Sequence, residues 1–496
     1  MAKKDIHINK DHIGTLHAHA YRSLGQPELA DTPKGLKLWN AYIKSEGIAS
    51  WTLEGGGVDV DEAPQEAVYG QKSKGDLLHE EISLCRARMV DERLWRDETR
   101  GYYEKWCRFK AENCLLDFAD LIETAYHDVD RAPGDPGAIF ADEAQDIDKI
   151  EMLLIRKWGA HARTFIIVGD PDQNLYLWRG TDPHVMQTPP VAEDHRRILS
   201  QSYRVPRAVH DAAVKWIETI PGRERIEYTP RREGPHDKTS PIVEGELLRN
   251  AGTYKYLDPV IRQAETYMAA GKSVMFLTAC GYMLEPLKAR LKDMGIAFHN
   301  PFRRKRGDWN PLAARRGTSS SDRINAFMRL SRGEMWTGND VVAWGSVLNA
   351  EGIFNRGKKS KLIELKSDDE VEIGKMLTYF TEEAVSHAMD ANSDWWFDNL
   401  IAMKQKSMRY HRKILKREGR VDKDIQVILG TVHSVKGGEA DVVFLMPDIS
   451  TAAAVQWSRG PGELRNGIIR QFYVGMTRAR ESLVLCSGAT RWSVRL

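Results

Sequence analysis

Five short apolar runs constrain the fold of this 496-residue chain more than any other feature. Most of them end next to Gly, Asp, Pro or Thr, and they lie at Ala138–Ala141, Phe165–Val168, Val274–Leu277, Val442–Met446 and Leu483–Cys486. Helix-like stretches separate them; within 143–158, apolar residues recur at helical spacing at Ile147, Ile150, Leu154 and Trp158. Apolar strands that alternate with helices predict an α/β fold whose parallel sheets are covered on both faces.

Composition shows that any anion-binding surface must be local. The chain has 72 basic and 70 acidic residues and a net charge of +2. None of its five cysteines forms a CxxC pair, which argues against a zinc site or a disulfide framework and predicts a reduced, cytoplasmic protein. No apolar run approaches the ~18 residues that a membrane span needs, and the first ten residues lack the apolar core of a signal peptide.

Two adjacent carboxylates, Asp142 and Glu143, follow the first apolar run, where a parallel sheet binds ligands. One explanation is the N-terminus of a helix, since acidic residues suit its first turn. The other is a metal–water site, in which Asp142 holds Mg²⁺ and Glu143 accepts a proton from an attacking water.

The stretch "VGDPDQNLYLWRG" follows the second apolar run. Asp170 closes that strand, and the neutral amide of Gln173 suits contact with a water or a terminal phosphate. Tyr176 and Trp178 point the same way if the chain is extended, and with Arg179 they would form a stacking platform for unpaired bases. The alternative for both rings is core packing.

Three further stretches combine short donors, aromatic rings and arginines. "LSQSYRVP" contains Tyr203 and Arg204, which suit a base and a phosphate. "GTVHSVKGGEADVVFL" offers donors to phosphate oxygens at Thr431, His433 and Ser434. "RQFYVGMTRARESLVL" contains arginines suited to a transferring phosphoryl group at Arg470, Arg478 and Arg480. Each stretch alone is also compatible with a structural or solvated role.

The order of these stretches resembles the UvrD/Rep/PcrA family of superfamily 1 helicases, with "GTLHAHAYRSL" (14–24) and "LLDFADLI" (115–122) completing the series. The resemblance implies two RecA-like parallel-sheet domains, with two mostly helical accessory domains inserted into them. The implied boundaries are 1–24 and 116–198 for the first RecA-like domain, 25–115 for the first accessory domain (1B-like), 199–315 and 423–496 for the second RecA-like domain, and 316–422 for the second accessory domain (2B-like).

The resemblance also implies a role for individual residues. In the ATP site, Asp142 would hold Mg²⁺, Glu143 would activate water, Gln173 would sense the γ-phosphate, Tyr203 would stack on the adenine, Arg204 and Arg478 would be arginine fingers, and Glu439 would touch the ribose. The implied contacts to single-stranded DNA are Thr15, His17, Tyr176, Trp178, Arg179, Thr431 and His433. The implied activity is ATP-dependent 3′-to-5′ translocation or unwinding, with single-stranded DNA and single-strand/duplex junctions as substrates.

The family's phosphate-binding loop, GxxxxGK[ST], is expected upstream of residue 14, but the first 13 residues contain no glycine. Gly271-Lys272-Ser273 is not a substitute, because the first glycine of the pattern would fall on Thr266 and the triplet leads into a predicted strand. We therefore expect a split or truncated helicase whose loop is supplied by a separate small polypeptide. The alternative is a non-hydrolysing DNA-binding or scaffold subunit, whereas a nuclease lacks support.

Overall fold

Two β-sheets organise the protein, which we describe from a computed structural model covering residues 12–54, 72–234, 237, 239–303, 309–313, 318–421, 424–460 and 462–496. The chain divides into a first unit, Met1–Glu246 with Ile449–Arg478 and Leu496, and a second unit, Leu247–Asp448 with Ala479–Arg495. Within the described ranges, no helix combines the length and the apolar character needed to cross a membrane.

The strands are β1 (Ala138–Ala141), β2 (Thr164–Ile167), β3 (Glu246–Asn250), β4 (Val274–Thr278), β5 (Phe298–His299), β6 (Val427–Thr431), β7 (Ala440–Leu445) and β8 (Ala479–Cys486). The helices are α1 (Leu16–Ser23), α2 (Pro33–Ser45), α3 (Lys74–Ala87), α4 (Asp97–Glu112), α5 (Phe118–Asp128), α6 (Lys149–Gly159), α7 (Arg207–Ile217), α8 (Asp258–Ala269), α9 (Glu285–Met294), α10 (Ser320–Phe327), α11 (Gly338–Gly345), α12 (Ile373–Met376), α13 (Glu382–Met389), α14 (Ser393–Asp398), α15 (Ala402–Glu418), α16 (Thr451–Ser458) and α17 (Glu463–Met476).

All five predicted strands are present, and the predicted α/β class with parallel strands is confirmed. The sequence analysis missed β3, β5 and β6. In β3 polar residues flank two leucines, β5 has only two residues, and β6 ends in Gly430 and Thr431, so none shows a long apolar run. The predicted strands therefore account for only half of the second sheet, namely β4, β7 and β8.

The sheet of the first unit pairs β1 with β2 in parallel, with Phe140 opposite Ile166. One face is covered, because Ile139 packs against the core around α5 and α6 and Phe165 lies against Gly159. On the other face, the exposed fractions are 67% for Phe140 and 41% for Ile166. The prediction of helices on both faces is therefore wrong for this sheet, as far as the described residues extend.

The sheet of the second unit has the strand order β3-β8-β7-β4-β6-β5, with β4 parallel to both β6 and β7. All five residues of β4 are buried, as expected for a central strand. Gly271, at a φ of 76°, lies in the turn between α8 and β4. Its neighbours Lys272 and Ser273 bind Glu481 and Asp441. The prediction that this triplet is a turn before a strand is confirmed.

Two mostly helical segments have their own aromatic cores; one precedes β1 in the sequence and the other lies between β5 and β6. In 72–115 and 30–54, Trp39 makes edge-to-face contacts with Tyr102 and Trp106 at centroid distances of 5.4 and 5.0 Å. In 318–421, Phe327 packs against Trp344 and Trp396 at 5.5 and 5.4 Å. Dense aromatic packing of this kind buries the large apolar area that a mostly helical segment needs to be stable.

Candidate functional site at the ends of the first sheet

Asp142 and Glu143 lie directly after β1, but they do not begin an α-helix. A short 3₁₀ turn covers Ala144–Asp146, and α6 begins only at Lys149, because the Asp148 side chain accepts the Glu151 N–H as its N-cap. The predicted helical stretch 143–158 therefore starts later than expected, and the helix-terminus explanation of this carboxylate pair is wrong. Glu143 has a left-handed backbone with a φ of 54°, which is unusual for a residue other than glycine.

Gln145, which the sequence analysis missed, ties the loop after β1 to the loop after β2. Its Nε2 donates to the Glu143 carboxylate at 2.5 Å, and its Oε1 accepts the Asp170 N–H at 2.9 Å. A Cβ atom on Gly169 would lie 2.6 Å from that Oε1, so a larger residue there would displace the Gln145 amide. The only sequence signal for Gln145 is a neutral amide two residues after a strand-end carboxylate.

Gln173 ends the 3₁₀ turn Pro171–Gln173 and connects an acid to an arginine. Its Nε2 donates to the Asp170 carboxylate at 2.7 Å, and its Oε1 lies 3.3 Å from Nη2 of the buried Arg478. Burial, reinforced by the neighbouring Asp172, raises the pKa of the Asp170 carboxyl. The loop after β2 and Arg478, two residues after the end of α17, thus meet around one amide.

A second buried link to this loop is Arg223, which no sequence pattern indicated. Its Nε lies 2.8 Å from Oδ1 of Asp172 and its Nη2 lies 2.6 Å from Oδ2, so the pair is bidentate. Both side chains are buried, which makes the pair more rigid than a solvent-exposed one. Asp172 is therefore engaged by Arg223.

Asp142 has the chemistry of a magnesium ligand. Its side chain is exposed at the strand end, and Oδ1 accepts the N–H of Glu143 at 2.9 Å. Within the described ranges, no group of three or more His, Cys, Asp or Glu side chains is arranged to hold a metal ion by itself. Mg²⁺ commonly takes one or two carboxylates together with phosphate oxygens and water, and a single exposed aspartate fits that pattern.

Tyr203 and Arg204 lie in an irregular segment before α7. The ring of Tyr203 is 61% exposed, as stacking on a ligand requires. The Ser202 hydroxyl accepts the N–H groups of Arg204 and Val205, which fixes this part of the backbone. Both residues belong to the same unit as Asp142, Glu143, Gln173 and Arg478.

Several predicted DNA contacts line a cavity of about 530 Å³ in the first unit. His17, Trp178 and Arg179 contribute to its wall together with Phe118, whose ring meets His17 edge-on at 5.8 Å. Thr15 lies at the start of α1, where its hydroxyl accepts the N–H of Ala18. Nε1 of Trp178 is buried and has no hydrogen-bond partner among the described residues.

Tyr176 and Trp178 are not extended, contrary to the conformation considered from sequence. Leu177–Arg179 form a 3₁₀ turn that ends at Gly180, whose φ is 95°. The two rings remain neighbours, with a centroid distance of 6.3 Å and an interplanar angle of 57°, and the Arg179 guanidinium lies 5.8 Å from the Tyr176 ring. The turn therefore keeps the two rings and the cation together in a different way.

Acidic residues line another part of this cavity, where the pKa values of two side chains are shifted. Nδ1 of His17 lies 3.3 Å from Glu151, and burial lowers the pKa of His17 although Glu151 acts in the opposite direction. Burial and then Glu151 raise the pKa of Asp148 to about 7. A phosphate would meet these carboxylates unfavourably, so an uncharged base fits this side of the cavity better.

The remaining predicted residues belong to the second unit. Thr431 is buried at the end of β6, where its hydroxyl accepts the N–H of Ser434, and His433 is buried in the following 3₁₀ turn. Glu439 precedes β7 and lies 3.4 Å from Arg480. The strand-end residues described above therefore belong to the first unit, whereas Thr431, His433 and Glu439 belong to the second.

Comparison with known proteins gives matches along most of the chain. Residues 4–190 match the UvrD/REP helicase N-terminal domain, and residues 381–489 match the UvrD-like helicase C-terminal domain. Together these two matches cover more than half of the chain.

Individual relatives are more distant. The probable DNA helicase II homolog of Mycoplasma pneumoniae is 22% identical over 477 residues, which are 82% of this chain and 63% of that protein. The ATP-dependent DNA helicase PcrA of Bacillus subtilis is 29% identical over 162 residues, 29% of this chain and 22% of PcrA. The PcrA of Staphylococcus aureus (strain Mu50) is 30% identical over 125 residues, 23% of this chain and 17% of PcrA. Each of these matches spans less than two thirds of the relative's length. The two matched domains show that this chain belongs to the UvrD/REP family of helicases.

Proposed function

We propose that the chain acts as an ATP-dependent DNA helicase or translocase that moves 3′ to 5′ on single-stranded DNA. A segment outside residues 1–496 would supply the GxxxxGK[ST] phosphate-binding loop. The observation that carries the proposal is the set of contacts joining the loops after β1 and β2: Gln145 binds the Glu143 carboxylate and the Asp170 N–H, and Gln173 binds Asp170 and Arg478. Phosphoryl transfer depends on positioned groups of these types.

Each residue of this cluster has a chemically suitable task. Asp142 would hold Mg²⁺, which when bound neutralises charge on the β- and γ-phosphates. The carboxylate of Glu143, oriented by Gln145, would accept the proton of the attacking water. Gln173 would contact the γ-phosphate, and Arg204 and Arg478 would stabilise the charge that develops on the transferring group.

The exposed face of the first sheet supports a segment that packs against it and supplies the loop. Phe140 and Ile166 are opposite each other in the strand pair and both face solvent. Strands of a parallel sheet are normally covered on both faces, and exposed apolar strand residues favour association. The proposed occupant is a segment with a strand, a GxxxxGK[ST] loop and a helix, because it would bring the phosphate-binding N–H groups to the same strand ends.

ATP hydrolysis with and without such a segment tests the proposal. We expect the purified chain to bind Mg²⁺–ATP weakly and to show no hydrolysis that single-stranded DNA stimulates. Co-expression with a polypeptide containing the strand, loop and helix should restore both properties. A matched polypeptide with the loop lysine changed to alanine is the control and should restore neither.

Two results would contradict the proposal. Ordinary helicase rates from the chain alone would show that some other segment binds the phosphates. Tight DNA binding without hydrolysis in every combination would favour the scaffold alternative. Polarity is tested by displacement of streptavidin from biotinylated oligonucleotides, and 3′-to-5′ movement predicts faster displacement from the 5′ end.

A further inference from the structure

The segment Arg223–Arg231 follows α7 and contains no residue that the sequence analysis singled out. A turn that contains Gly222, with a φ of 69°, separates this segment from α7. One end of the segment contacts the loop after β2, and the other end contacts the segment that contains Tyr203 and Arg204. Both of these loops contain residues with a proposed nucleotide contact.

At the first end, Arg223 is fixed on the loop after β2 by its bidentate bond to Asp172. Asp172 is 3% exposed and donates its N–H to the Asp170 carboxylate at 3.0 Å. The next residue, Gln173, binds the same carboxylate. In the middle of the segment, Tyr228 lies near Asp170, and burial and then this carboxylate raise the pKa of the Tyr228 hydroxyl. Loss of the arginine would leave a buried carboxylate unpaired beside the γ-phosphate sensor.

At the second end, backbone hydrogen bonds connect 229–231 with 200–205. Ser202 N–H donates to Thr229 O at 2.9 Å, Thr229 N–H donates to Ser200 O at 2.7 Å, and Arg231 N–H donates to Val205 O at 2.7 Å. The side chain of Gln201 adds a bond to Pro230 O at 2.6 Å. These bonds lie on both sides of Tyr203 and Arg204 in the sequence.

We infer that residues 223–231 form a positioning strut that sets the place of Gln173 relative to Tyr203 and Arg204, with Arg223 as its anchor. Arg223 is a positioning residue, because it acts on the nucleotide contacts through Asp172. This inference deepens the proposed ATPase function and rests on it for the identity of the ligand. It adds a mechanical connection between two loops that are separate in the sequence.

Hydrogen exchange on the purified full chain tests the strut without nucleotide. Arg223→Met should speed amide exchange in peptides covering 169–176 and also in peptides covering 200–206, by about tenfold or more, because a broken buried ion pair lowers the free energy of local opening. Arg223→Lys, which keeps the charge, should give a smaller change in both. Arg225→Met is the matched control, since the Arg225 side chain is 80% exposed and pairs with Glu218 at 3.2 Å. It should change neither peptide.

The exchange rate of the peptides covering 200–206 distinguishes a strut from a local contact. If Arg223→Met alters 169–176 only, the ion pair is a local contact and the strut is ruled out. Should Arg223→Met fail to fold by circular dichroism, Asp172→Asn serves in its place, and unchanged exchange at 200–206 in that variant overturns the inference equally.

A second readout uses the hydrolysing assembly described above. Arg223→Met should lower kcat by about 10- to 100-fold, since small misplacements of catalytic groups have effects of this size, while KM for ATP changes less. Arg225→Met should keep wild-type values, and equal kcat in the two variants contradicts the strut. Absence of hydrolysis by the wild-type assembly overturns the proposed function alone, because the exchange experiment decides the strut without it.

Discussion

At the scale of single residues, Glu143 has the most informative conformation of the described loops. A left-handed backbone at a residue other than glycine costs about 1–3 kcal/mol and persists where its surroundings fix it. Here Gln145 binds the carboxylate and Asp142 accepts the backbone N–H. We predict that Glu143→Gln abolishes restored ATP hydrolysis while nucleotide binding is retained, because the amide keeps the shape but accepts no proton.

Turnover and fluorescent-nucleotide binding are measured on the same samples for that variant. Gln145→Glu is a useful comparison, because it keeps the size of the side chain but sets a carboxylate against Glu143. Residual hydrolysis at the wild-type rate in Glu143→Gln would assign the base to another residue.

Trp178 gives a prediction for DNA binding. Stacking on an aromatic ring contributes about 1–3 kcal/mol per base, so Trp178→Ala should weaken binding of single-stranded oligonucleotides by roughly tenfold or more. Trp178→Phe should retain most of the affinity, because it preserves a flat ring. Fluorescence anisotropy gives the affinities and thermal melting checks the fold. Equal affinities in the wild type and Trp178→Ala would return this ring to a packing role.

At the scale of elements, the N-cap of α6 predicts a pH dependence. The pKa of Asp148 is about 7 in the fold, against 3.8 for an ordinary aspartate side chain. The folded state therefore binds the proton more tightly, and stability from this group is full below pH ~4 and lost as pH rises through about 7. Asp148→Asn keeps an N-cap acceptor and should remove this loss, with a slope difference of at most about 1.4 kcal/mol per pH unit.

Chemical denaturation of the wild type and Asp148→Asn between pH 4 and 8 measures the effect. His17 contacts Glu151 in the same cluster, so the same pair of proteins is also compared in a His17→Gln background. Parallel stability curves in both backgrounds would contradict the raised pKa.

A buried histidine in helix α15 predicts the opposite pH dependence, with stability lost at low pH. His411 is buried, and neither ring nitrogen has a hydrogen-bond partner among the described residues. Burial lowers the pKa of His411 to about 4, so its stability contribution is full above pH 6.5 and is lost as pH falls towards 4. His411→Leu should remove an acid destabilisation of up to about 3 kcal/mol. His161→Leu, at an exposed position, is the control and should keep the wild-type slope.

At the scale of the whole molecule, the open face of the first sheet predicts how the isolated chain behaves. Phe140→Ser should reduce binding of a hydrophobic dye and should weaken the rescue of ATP hydrolysis by the added polypeptide, because this ring would pack against it. Leu94→Ser is the matched control, since Leu94 is more exposed, at 78%, but lies outside the sheet. Full rescue of Phe140→Ser would place the added polypeptide elsewhere.

The sequence by itself determined the elements that depend on near neighbours in the chain. An apolar run long enough for a strand marked β1, β2, β4, β7 and β8, and their ends marked Asp142, Glu143 and Asp170. The turn at Gly271 was likewise predictable from sequence, because residues other than glycine rarely adopt a positive φ.

Only the tertiary structure decided which distant side chains meet. Arg223 pairs with Asp172 across 51 positions, and Gln173 lies against Arg478 across 305. Neither pairing has a periodic signal, because it depends on how loops close over the strand ends rather than on local backbone preference. The exposure of Phe140 has the same origin, since an apolar strand residue reads as buried until the packing of its sheet is known.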